Sequence, residues 1–106
     1  MRMWMVDPRL MCRNHLLGEH KEVHMLAGTL LRGKSIQGWV DQGLIDPASV
    51  RERHDELVSE MKRRGYNHKS PLPESFPDPS HPMISVEDSH KELKRRCSKC
   101  ARMDST

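Results

Sequence analysis

The stretch NHLLGEHKEVHMLAGTLLRG, residues 14–33, decides the fold. Leu16, Val23, Leu26, Leu30 and Leu31 recur at the spacing of one helix face, and Ala27 between them is small enough for close packing. Asn14 offers an N-cap and Gly33 a stop, so the spacing predicts a helix from about 14 to 32. Gly18 and Gly28 lower its intrinsic propensity, and tertiary contacts must supply the difference.

Beyond this helix, a short second one is predicted from Ser35 to Gln42, burying Ile36, Trp39 and Val40 and closed by Gly43. Asp46-Pro47 is a strong start for a third, an Asp cap with Pro at the first helical position. It should run to about Arg64, with Val50, His54, Leu57, Val58 and Met61 on one face and Gly65 just past its end. Five prolines between Pro71 and Pro82 make the next stretch an extended connector. Ser85 with Asp88 reads as a capping box for a last helix near 86–96, which leads into Cys97-Ser98-Lys99-Cys100. In the other direction, residues 1–13 form an arm anchored by Trp4, Val6 and Leu10, with Asp7-Pro8 breaking any helix there. The fold class is all-α: a small compact bundle of about three helices, an extended N-terminal arm, and a Pro-rich C-terminal segment ending in a short helix. Residues 1–70 make the helical core. Residues 71–106 make the connector and a basic CxxC segment packed on it.

Composition agrees with one small core. The chain has 106 residues, 35% of them hydrophobic, enough for a few packed helices and too few for a sandwich. Trp4, Trp39, Tyr66 and Phe76 are the whole aromatic set, and β-branched residues are sparse. A net charge of +3 and a pI near 8.9 permit nucleic-acid binding without requiring it. Position carries more information: Lys62, Arg63 and Arg64 end the third helix, and Lys91, Lys94, Arg95, Arg96, Lys99 and Arg102 crowd the tail. No apolar run approaches the ~18 residues of a membrane span, and no signal peptide opens the chain. Three cysteines, an odd number, argue against a secreted disulfide scaffold and for a reducing, cytoplasmic location.

On the first helix His15, Glu19 and Glu22 fall at i, i+4 and i+7, one polar stripe that solvation alone would explain. His20 and His24 have the i, i+4 spacing of two ligands on one zinc, but the zincin pattern needs Glu after the first His and Lys21 stands there. Cys97-x-x-Cys100 is half of a zinc site, a redox pair or a pair of plain thiols. Cys12 and the histidines complete a metal site only if the fold brings them close.

Taken in order, these pieces resemble the pyrimidine-dimer DNA glycosylase family of the phage endonuclease V type. The resemblance rests on Met1 to Val23, with Arg2 and the run Asn14-His15-Leu16-Leu17-Gly18-Glu19-His20-Lys21-Glu22. A second block runs from Glu56-Leu57-Val58 through Lys62-Arg63-Arg64-Gly65-Tyr66-Asn67. It covers roughly residues 1–70. It implies base excision in double-stranded damaged DNA by an α-amine nucleophile and one helix-borne Glu, with no metal or redox cofactor, in a monomer away from membranes. Glu22 is then the catalytic carboxylate, with Arg2, His15, Glu19, Lys21, Arg63 and Arg64 on the DNA-facing side.

The departures are informative. Met25 stands where the family has a basic DNA-contacting residue, and no aromatic follows Phe76 in the tail. Those departures leave open whether the substrate is a pyrimidine dimer, another modified pyrimidine or an abasic site. Arg2 is too large for ordinary removal of the initiator, so Met1 occupies the nucleophile position. An α-amino group titrates near ~8, against ~10.4 for Lys, and is partly unprotonated at neutral pH. The outcome would be base loss followed by abasic-site lyase nicking. The alternative from another class is a non-catalytic DNA- or protein-binding module, stapled by zinc through Cys97 and Cys100.

Overall fold

The computed structural model describes residues 1–68, 71–72 and 86–103. It is all-α, as expected. The order is a 3-10 turn at Pro8–Leu10, α1 at Arg13–Leu31, α2 at Gln37–Asp41, a 3-10 turn at Pro47–Ser49, α3 at Val50–Arg63, α4 at Val86–Arg96 and α5 at Ser98–Met103. Helix α5 follows α4 after the single residue Cys97, a break that the sequence pattern does not signal. The Ser85 half of the expected capping box lies outside the described residues.

Helices α1 and α3 are the frame. Leu16, Val23, Leu26, Ala27 and Leu30 of α1 are buried with Val50, Leu57, Val58 and Met61 of α3. Fully burying a Leu, Val or Met side chain contributes roughly 1.5–3 kcal/mol, so these two faces supply much of the stability. Leu31, counted with the apolar face by spacing, is 50% exposed, because the helix ends there and the chain turns away. Helix α1 begins at Arg13 rather than after Asn14, with Cys12 in the cap position and no side-chain cap bond.

Both long helices stop as glycine allows. Gly33 and Gly65 take φ of +67° and +86°, and the Tyr66 amide donates back to the Met61 carbonyl at 2.8 Å. Around Asp46-Pro47 the chain makes a 3-10 turn first and enters α3 only at Val50, with the Ser49 hydroxyl on the buried Asp46 carboxylate at 2.8 Å. In α2 only the preceding Ile36 is buried. Trp39 and Val40 are half-buried, since five residues make too short a helix to turn a whole face inward.

The N-terminal arm is held from two sides. The Met3 amide donates to the Leu44 carbonyl at 2.7 Å, and the Ser89 hydroxyl of α4 donates to the Trp4 carbonyl at 2.5 Å. Between them Met5 has φ +59°, a left-handed conformation that costs a non-glycine residue roughly 1–2 kcal/mol. Met3, Trp4 and Val6 are buried on either side of it, so packing holds the strained residue in place. Leu93 of α4 and Cys100 of α5 are fully buried in the same apolar cluster as the arm and α1. No helix among the described residues is long and apolar enough to cross a membrane.

Candidate active site

Two glutamates on adjacent turns of α1 have opposite fates. Glu19 points between the helices and takes Nε and Nη2 of Arg53 on α3 at 2.6 and 2.8 Å, with both side chains essentially inaccessible. Buried ionic groups survive only when paired in this bidentate way. Glu22, one turn on, is half-buried and makes no hydrogen bond or ion pair among the described residues. One carboxylate fixes α1 against α3, and the other is left for solvent or substrate.

Glu22 opens into a recess of about 280 Å³ lined by Arg2, Trp4, Asn14, His15, Gly18, Glu19, Glu22 and Arg96. That lies near the lower end of the ~300–1,000 Å³ typical of small-molecule sites. The Arg2 guanidinium stacks 4.1 Å from the Trp4 ring centre. Burial lowers the Arg2 pKa, and the neighbouring Arg96 guanidinium lowers it further while Glu92 opposes. Arg96 also donates to Glu92 at 2.5 Å, so the recess is bordered by two guanidiniums, one of them already paired. His15 packs edge-on to Trp4 at 5.9 Å, and its Nδ1 lies 3.3 Å from the Cys12 sulfur.

A larger recess of about 430 Å³ runs along Asp7, Pro8, Arg9, Glu56, Ser59, Glu60 and Arg63. Its carboxylates are largely engaged, Asp7 by Arg9 and Glu60 by Arg63 and Arg64. Arg63 lies on that side, exposed and paired with Glu60. Arg64 is half-buried: its Nε donates to Glu60 at 2.6 Å, and its Nη2 donates to the Pro8 and Met11 carbonyls at 3.0 and 2.8 Å. Hydrogen bonds from Arg63, and more weakly Arg64, hold the Glu60 carboxyl below its ordinary range. Of the residues that the resemblance marked, the structure brings Arg2, His15, Glu19 and Glu22 to one recess and leaves Met1, Lys21, Arg63 and Arg64 outside its lining. Met1 is half-buried against the arm's apolar cluster, and its Cα is one peptide link, about 3.8 Å, from that of Arg2.

Sequence reasoning missed Arg96, Trp4 and Asn14 as lining residues. Arg96 was visible only as one of a basic run, and nothing local signals that α4 lies across the mouth of α1. It also missed Arg53, which reads as one more charge on a polar helix. Two clusters of metal-ligand residues stand beside the recess and the core: Cys12, His15, Cys97 and Cys100, and separately His20, His24, His54 and His68.

The sequence profile described as pyrimidine dimer DNA glycosylase matches residues 1–74. No curated protein and no solved structure matches the chain.

Proposed function

Since the chain belongs to the pyrimidine dimer DNA glycosylase family, we propose that it excises damaged pyrimidines through an imine on its own N-terminal amine and then nicks the abasic strand. The observation that carries this reading is the recess in which an unpaired carboxylate, Glu22, faces two guanidiniums beside the pinned N-terminal arm.

The steps follow from that arrangement. A phosphate held between Arg2 and Arg96 presents its nucleotide to the recess, and a lesion that has weakened stacking lowers the cost of extruding it. The lone pair of the Met1 nitrogen attacks C1′ as the bond from C1′ to the base breaks, and the base leaves with that electron pair and gains a proton. Glu22 stabilises the positive charge that builds on the sugar. The amine nitrogen then loses a proton, the bond from C1′ to the ring oxygen opens with that oxygen taking up a proton as a hydroxyl, and a protonated imine remains. Glu22 takes a C2′ proton, and the electrons expel the 3′-phosphate by β-elimination. Water hydrolyses the imine and frees the amine.

Base release and strand nicking by the full chain, each under single-turnover conditions, test the reading on duplexes carrying a pyrimidine dimer or an abasic site. Glu22→Gln should lower both by roughly 10²–10⁴-fold, the range for a positioned acid–base group, with folding unchanged because the side chain is half-exposed. Wild-type rates in Glu22→Gln would remove that carboxylate from the mechanism.

A further inference from the structure

We propose that Cys12, His15, Cys97 and Cys100 form a zinc site that fastens the C-terminal helices to the start of α1. The four residues come from three places, the cap and first turn of α1, the α4–α5 junction, and α5. Their ligand atoms all lie within 4.8 Å of one another. The Cys12 and Cys97 sulfurs are 3.9 Å apart, and His15 Nδ1 is 3.3 Å from Cys12 Sγ and 3.7 Å from Cys100 Sγ. Zinc–sulfur bonds of ~2.3 Å and zinc–nitrogen bonds of ~2.0 Å in a tetrahedron require sulfur–sulfur and sulfur–nitrogen edges of roughly 3.8 and 3.5 Å. The sulfur–sulfur edge of 3.9 Å lies close to the first value, the two sulfur–nitrogen edges bracket the second, and all three cysteines are free.

The surroundings fit thiolates rather than thiols. The Cys12 amide donates to Cys100 Sγ at 3.3 Å, the kind of amide–sulfur contact that supports a metal-bound cysteine. Three thiolates and one imidazole close the coordination sphere, so the role is structural. The site has a consequence for the recess, because ligation fixes the His15 ring and Cys97 directly follows Arg96. The zinc assignment stands whether or not the recess is catalytic.

A different observation carries a second site. His20 and His24 of α1, His54 of α3 and His68 beyond it gather with five of their six ring-centre separations between 4.6 and 5.3 Å. Four imidazoles around one tetrahedral metal have centres about 5 Å apart. Nε2 of His20 and of His68 is shielded from solvent and has no hydrogen-bond partner among the described residues. A buried nitrogen of that kind needs a ligand. We infer a four-histidine site for a borderline divalent transition metal, zinc or its nickel and cobalt analogues.

Cobalt titration of the metal-stripped full chain tests both, because thiolate ligands give charge-transfer bands in the near ultraviolet and imidazoles alone give only the visible bands of tetrahedral cobalt. The wild type should take up two equivalents with both signatures, and elemental analysis of the chain as purified should find two metals. Cys97→Ser should lose one equivalent together with the charge transfer. His68→Gln should lose one and keep it. A wild-type chain that shows no charge transfer, and whose three thiols react with a disulfide reagent equally fast with and without zinc, overturns the first site. Uptake by His68→Gln equal to the wild type overturns the second.

Discussion

Replacing Glu19 by Gln should strongly destabilise the protein. The change removes one charge from a pair whose two side chains are 0% and 1% exposed, and leaves the buried Arg53 guanidinium with only the longer, 3.9 Å contact to the solvent-exposed Glu56 carboxylate. Breaking such a pair costs about 3–5 kcal/mol, a large share of the roughly 5–15 kcal/mol that stabilises a small domain. At about 2.1 cal/mol/K of unfolding entropy per residue, a chain of 106 residues has an entropy of about 0.2 kcal/mol/K at its midpoint. The melting temperature should therefore fall by roughly 13–22 °C. Circular dichroism at a helical wavelength reads it directly. Glu19→Leu combined with Arg53→Met, which fills the space with apolar atoms, should recover most of the loss. If Glu19→Gln melts within about 3 °C of the wild type, less than the shift a 1 kcal/mol change would give, the pair does not fix α1 to α3 and Glu19 is no strut.

Arg96→Ala should weaken binding to duplex DNA and reduce the slope of log affinity against log salt by about one unit, the change that follows when one phosphate is no longer neutralised. Arg2→Ala should do the same, and an unchanged slope in both would place the phosphate elsewhere. The metal-free chain should lose stability in acid: His20 titrates near 4 in the fold against about 6.5 unfolded, so between these values the unfolded chain holds more protons. Stability should be fully present above pH 6.5 and decline as pH falls toward 4. Urea midpoints measured across that interval check this, and His20→Gln should flatten the decline.

The helices were legible because apolar spacing and end signals agree on them. Leu16 through Leu30, the Gly33 stop, the buried face from Val50 to Met61 and the Gly65 stop all lie where periodicity puts them. Helix α2 was harder, since the apolar look of Ile36, Trp39 and Val40 says nothing of how far a five-residue helix can bury them. In the site, the stripe of His15, Glu19 and Glu22 was readable as a stripe and unreadable as roles. Only the position of Arg53, 34 residues away, separates a strut from a free carboxylate. The same holds for the metal-ligand clusters. Cys97-x-x-Cys100 and the His20/His24 pair each present half a site, and the other halves arrive from residues tens of positions distant. Long-range convergence leaves no local pattern in one sequence.

Borohydride trapping of the untagged chain on duplex DNA carrying an abasic site, followed by peptide mass mapping, tests the central claim most directly. The account predicts a covalent adduct on the α-amine of Met1, lost when that amine is acetylated or extended by further residues. An adduct on a lysine, or none at all from a chain with a free N-terminus that still binds the DNA, would contradict it.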